Sequence, residues 1–123
     1  MGRVLAFVPD LMDRSRVTAG AAAAGVQVEH VASPRQLASG AQDPPDLVLV
    51  DLSRPGALEV LGALAGCRTV GFASHVDRDL IAKARAAGCA RVLARSTFFG
   101  RLGELLGEIA GEAAGAGAGA GAD

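Results

Sequence analysis

The sequence predicts an α/β domain in which a five-stranded parallel sheet is covered by helices on both faces. Three observations lead there. Short apolar runs alternate with stretches of helical period over residues 3–110, the pattern of repeated strand–helix units. The run Leu47–Val50 is apolar without interruption, as a strand buried on both faces must be. The run around Val26, Val28 and Val31 instead alternates with Gln27, Glu29 and His30, which places it towards an edge.

The elements follow in order. Arg3–Val8 is a first buried strand, closed by Pro9. Residues 10–24 have helical period; Leu11, Val17 and Ala21 can share a face, Asp13 or Ser15 can begin the helix, and Gly25 ends it. The alternating second strand follows. Ser33 and Pro34 suit the cap and first turn of a second helix, which stops at Gly40. Pro44 and Pro45 then precede the central strand, which ends in Asp51 and breaks at Pro55-Gly56. Ala57–Leu64 makes a brief helix closed by Gly66, and Thr69–Ala73 a fourth strand. Asp77 can cap a helix over Arg78–Ala87 that buries Leu80, Ile81 and Ala84. Arg91–Ala94 is the fifth strand, and Phe98–Ile109 the last helix, with Leu102, Leu105, Leu106 and Ile109 at helical spacing. Right-handed crossovers favour the order 2-1-3-4-5, with a switch point between strands 1 and 3. Asp51 ends its strand there, where ligands and chemistry collect in parallel sheets.

Composition bounds the function. Of the 123 residues, 50% are hydrophobic and 20% charged, which suits one globular domain. A formal net charge of −1 speaks against nucleic-acid or anionic-membrane binding, and four Phe as the only aromatics leave little surface for stacking bases. No apolar run approaches the roughly 20 residues of a membrane span, and no basic leader precedes an apolar core. A cytoplasmic location is therefore expected. Cys67 and Cys89 lack paired spacing and read as reduced core thiols rather than a disulfide or zinc site. Residues 1–110 form the domain, and 111–123 a Gly/Ala-rich flexible tail with no large side chain to bury.

The segment PDLVLVDLSRPG resembles the stretch around the phosphoaccepting aspartate of CheY-like receiver domains, the flavodoxin-like modules of two-component response regulators. ARAAGCARVLARSTF resembles the segment with their final strand and lysine, and GFASHVDRDLIAKA fits between the two. The resemblance covers residues 3–110. It implies that Asp51 stands at the phosphoacceptor position. The acidic pair that holds magnesium in such domains falls on Val8 and Pro9, with Asp10 one residue late. The hydroxyl position falls on Ala73, with Ser74 following, and the lysine position on Arg95. Magnesium surrenders its water reluctantly and binds weakly where ligands are few. A lone carboxylate without a cation beside it accepts phosphate poorly. The expectation is a pseudo-receiver: a stand-alone, non-enzymatic protein-interaction module of bacterial signalling, without magnesium or another cofactor. A conventional phosphoacceptor using Asp51 with Asp10 as metal ligand is the alternative, and a small flavodoxin-like ligand binder a second one. The latter lacks a glycine-rich phosphate loop after strand 1.

Asp51 is expected to pair with Arg95 or Arg54. Ser74-His75 reads as a helix-capping loop rather than a nucleophile and base, His30 as a solvated edge residue, and Arg14 and Arg16 as surface residues. Phe98 and Phe99 are adjacent, so one helix face cannot bury both rings. With Arg95 they form the expected partner face. In the resembled family, partners or a second copy dock on the surface of the fourth helix, fifth strand and fifth helix; such a homodimer is an expectation here too.

Overall fold

Two strands without a polar face, β1 (Arg3–Phe7) and β3 (Leu47–Asp51), lie side by side within the sheet of the computed structural model, which describes residues 2–74 and 76–122 and side chains as far as Glu112. With β2 (Gln27–His30), β4 (Thr69–Ala73) and β5 (Arg91–Ala94) they form one parallel sheet in the order β2-β1-β3-β4-β5. Both the fold class and the strand order match the sequence-based expectation. Register aligns Val4 with Leu47 and Phe7 with Val50, and carries Asp51 alongside Phe72. β2 lies at an edge, its residues alternating between exposed and half-buried.

Side chains one apart on a strand point to opposite faces, and this divides the core in two. Val4, Ala6, Leu47, Leu49, Val70 and Phe72 meet α1 (Leu11–Ala24), α5 (Arg95–Gly100) and α6 (Leu102–Ala122). Leu5, Phe7, Val48, Val50 and Val92 meet α2 (Pro34–Gly40), α3 (Ala57–Val60), the 3-10 turn Leu61–Leu64 that follows it, and α4 (Arg78–Ala86). Each wholly buried Leu or Phe contributes about 1.5–3 kcal/mol.

The local signals worked as chemistry requires. Ser33 accepts the Gln36 N–H and Asp77 the Leu80 N–H, capping α2 and α4. Gly25 closes α1 in the left-handed region at φ 74°. Elsewhere the structure corrects the expectation. Asp10, not Asp13 or Ser15, caps α1 by accepting the Asp13 N–H at 3.0 Å. The inward face is then Asp13, Val17 and Ala21, one turn apart, and Leu11 is left 75% exposed. On α4 only Ala84 is fully buried; Leu80 and Ile81 are half-buried. The single last helix is two. α5 starts directly after β5, and Arg101 interrupts the helix, its N–H shared between the Thr97 and Phe98 carbonyls. Helical backbone then runs to Ala122; the expected flexible tail lies, beyond Glu112, outside the residues whose side chains are described. His75 lies outside the described residues too.

Candidate functional site

Asp51 ends β3 with 4% of its surface exposed. A carboxylate so buried needs hydrogen-bonded partners to stay charged. Ser53 supplies two, its N–H at 3.1 Å and its hydroxyl at 2.6 Å, both donating to Oδ1. Arg54 supplies the third, Nε–H donating to Oδ2 at 3.2 Å. These partners lie two and three residues along because the chain turns at once after the strand. Gly56 completes that turn at φ 84°, where a Cβ would also stand 2.8 Å from Cγ of Pro34. Both carboxylate oxygens are therefore engaged within Asp51–Arg54. Of the two arginines expected to pair with Asp51, the structure chooses Arg54.

Arg95 goes elsewhere. Its two terminal nitrogens donate to the two oxygens of Asp13 on α1, Nη1 to Oδ2 at 2.6 Å and Nη2 to Oδ1. Asp13 is 1% exposed. The fork of the guanidinium matches a carboxylate edge-on, the strongest ion-pair geometry side chains offer. The hydrogen bond to Asp13 is the largest cause raising the pKa of Arg95 above its ordinary value; Asp13, Asp51 and Asp10 add their negative charge. Asp13 did not emerge from the sequence as a site residue. Its signal was positional: an acid four residues before Val17 and eight before Ala21 falls on the buried stripe once the helix starts at Asp10, and a buried carboxylate demands a cation.

Register sets Val8 and Ala73 next to Asp51 on the neighbouring strands, but among the described residues none of the other receiver positions hydrogen-bonds to its carboxylate. Val8 is buried and apolar, Pro9 offers no carboxylate, and Asp10 is exposed and bound to the first turn of α1. Ala73 is buried; Ser74 is exposed, and its carbonyl accepts the Asp77 N–H. The oxygens of Asp51 are held by Ser53 and Arg54, the acidic pair is replaced, and among the described residues no three carboxylate, imidazole or thiol groups cluster.

The two phenylalanines separate sharply. Phe98 is fully buried and stacks on Phe72 at 4.4 Å between centroids, so it belongs to the core and not to a partner face. Phe99 is half-buried, with its ring against the edges of Phe72 and Phe98. The Arg16 guanidinium lies over that ring at 4.1 Å from its centroid and that of Arg95 at 5.1 Å. Phe99 and Arg95 thus turn towards α1, where a groove of ≈ 390 Å3 runs between Arg16, Arg95, Ser96, Phe99 and Gly100. The adjacent-ring argument foresaw that one ring would be buried and the other partly exposed, but this opening lies between α1 and α5 rather than over α4.

The remaining candidates are structural. Cys89 is buried, its thiol pKa raised by burial, and both cysteines are unbonded to one another. His30 is not simply solvated as expected. Nε2 meets the Thr18 hydroxyl at 2.9 Å, and Nδ1 is buried without a partner. Packing of β2 under α1 accounts for this.

Among the described residues no helix is long and apolar enough to cross a membrane. No protein-family model matches the chain, and no curated protein matches its sequence. Solved structures do. A response regulator from Hahella chejuensis is 22% identical with a TM-score of 0.75, over 86% of this chain and 92% of that one. The Vibrio cholerae chemotaxis protein CheY4 is 19% identical with a TM-score of 0.74, over 89% and 98%. The phosphorylated cyanobacterial phytochrome response regulator RcpA is 17% identical with a TM-score of 0.70, over 89% and 91%. The resemblance read from the sequence is thereby borne out in the fold, which is that of CheY-like receivers.

Proposed function

We propose that this chain is an atypical receiver that serves in bacterial signal transduction as a protein-docking module, in the cytoplasm and without phosphoryl transfer. One observation carries the reading. The cation at the position of the receiver lysine is committed to Asp13, while the carboxylate at the acceptor position is committed to Ser53 and Arg54. Phosphoryl transfer to a carboxylate needs a metal and a positive side chain converging on the incoming oxygens. Here Arg95 is drawn 82 positions back along the chain to α1, and Val8 and Pro9 occupy the acidic-pair positions. What this surface offers instead is a half-buried aromatic ring flanked by two guanidiniums, side chains typical of binding hot spots. A conventional phosphoacceptor is the competing reading because Asp51 does keep its place at the end of the central strand.

The deciding experiment incubates the full chain with radiolabelled acetyl phosphate and magnesium, beside a conventional receiver as control. No acid-labile label is expected. Stoichiometric label that disappears in Asp51→Asn would overturn the proposal.

A further inference from the structure

Every polar side chain in the groove between α1 and α5 is a hydrogen-bond donor, and only the Ser96 hydroxyl can also accept. Arg16, Arg95, Ser96, Phe99 and Gly100 line it. A guanidinium has five N–H donors and no acceptor. Arg16 makes no hydrogen bond or ion pair to another side chain among the described residues; what it does touch is the ring of Phe99. Arg95 gives one N–H from each terminal nitrogen to Asp13 and keeps the rest. Such a groove is complementary to an anion. Nothing about the whole molecule would draw one in, since its formal net charge is −1; the attraction is local.

We infer that this groove binds an acidic segment of a protein partner, with a carboxylate seated between Arg16 and Arg95. The inference deepens the docking reading above by naming the chemistry of what docks. Two features choose a carboxylate on a peptide over a nucleotide. The ring of Phe99 is already engaged by Arg16, Arg95, Phe72 and Phe98, which leaves no free aromatic platform for a base. The groove is also built from side chains rather than from the glycine-rich backbone loop that cradles phosphates. Arg95 shows the forked pairing of a guanidinium with a carboxylate in its bond to the buried Asp13, and Arg16 brings a second guanidinium, with the same planar set of donors, to the groove wall.

The test is a titration of the isotope-labelled full chain, followed by amide chemical shifts. Blocked tetraglutamate, blocked tetralysine, inorganic phosphate and ATP serve as probes. Tetraglutamate should give saturable shifts confined to residues 13–17 and 95–100, weaker at higher salt, and tetralysine none. Arg16→Ala, at an exposed position, should weaken binding by about tenfold or more, the scale of one lost charge-assisted contact, and Arg16→Glu should abolish it. Arg14→Ala, outside the groove, should leave it unchanged. The inference is overturned by an absence of localised shifts, by tetraglutamate affinity indifferent to Arg16, or by phosphate or ATP binding as tightly as tetraglutamate. Phosphorylation of Asp51 in the preceding experiment would instead sink the docking reading and leave the groove's anion binding standing, so the two failures can be told apart.

Discussion

Arg95, the first residue of α5, holds the buried carboxylate of Asp13 on α1 with two hydrogen bonds across 82 positions of sequence. The pair is lopsided: the Arg95 side chain is 49% exposed and that of Asp13 2%. Removing the arginine leaves a carboxylate stranded in the core, whereas removing the acid frees an arginine that can turn to water. Arg95→Ala should therefore destabilise the fold by about 3–5 kcal/mol and Asp13→Ala by roughly 1–2 kcal/mol. Urea unfolding of both variants measures this, and an equal or reversed order would contradict it.

Phe98 and Phe99 differ in burial and should differ in consequence. Phe98→Ala empties a fully buried ring site against Phe72 and should cost about 3–5 kcal/mol. Phe99→Ala, from a half-buried position, should cost about 1–2 kcal/mol while removing the wall of the α1–α5 groove. Thermal and urea denaturation of the two variants give the comparison; similar losses would mean that Phe99 is a core residue.

Gly71 on β4 is a packing requirement. A Cβ there would lie 2.7 Å from Cδ1 and 2.8 Å from Cγ of Leu52, the buried residue that follows Asp51. Gly71→Ala should destabilise by about 1–3 kcal/mol through overpacking. Leu52→Ala alone opens a cavity. The double variant should cost less than the sum of the two, since the new methyl enters the space that the leucine left. Strict additivity in a double-mutant cycle would refute this explanation.

His30 should make stability depend on pH. Burial, with Arg14 adding to it, holds its pKa below the ordinary 6.5. Between the folded-state value and 6.5 the unfolded chain binds more protons than the folded one, so stability rises with pH across that window. The contribution is complete above about 6.5 and is lost as the pH falls towards the folded-state value. Melting temperatures between pH 8 and pH 5 should fall more steeply for the parent chain than for His30→Gln. Parallel curves would show that the imidazole is indifferent to its surroundings.

Ser53 should prove to be the anchor of Asp51. Its hydroxyl and N–H both donate to Oδ1, and only the hydroxyl is lost in Ser53→Ala. A hydrogen bond to a charged group contributes about 1.5–3 kcal/mol, so a loss in that range is expected by chemical denaturation. A change near zero would mean that Arg54 alone satisfies the buried charge.

Much of this molecule was legible in the chain itself. β1 and β3 announced themselves as unbroken apolar runs because a parallel strand inside the sheet has no face to leave polar, and β2 declared its edge by alternating. Ser33, Asp77, Gly25 and the Pro55-Gly56 turn punctuated the elements through strictly local chemistry. The same locality put Asp51 at a strand end, while Val8 and Pro9 stand for a receiver's acidic pair only as the resemblance implies. Other outcomes required three dimensions. The cap at Asp10 rather than Asp13 takes Asp13 into the helix, where it shares the inward face of Val17 and Ala21, and packing of that face on the sheet buries Asp13 while Leu11 is left exposed. Which arginine serves which carboxylate was decided by the order of the strands: α1 and α5 share one face of the sheet, so Arg95 meets Asp13, and Asp51 is left to the arginine three residues away. An ion pair is chosen by distance in space, and distance in space belongs to the packed sheet rather than to the written order of its residues.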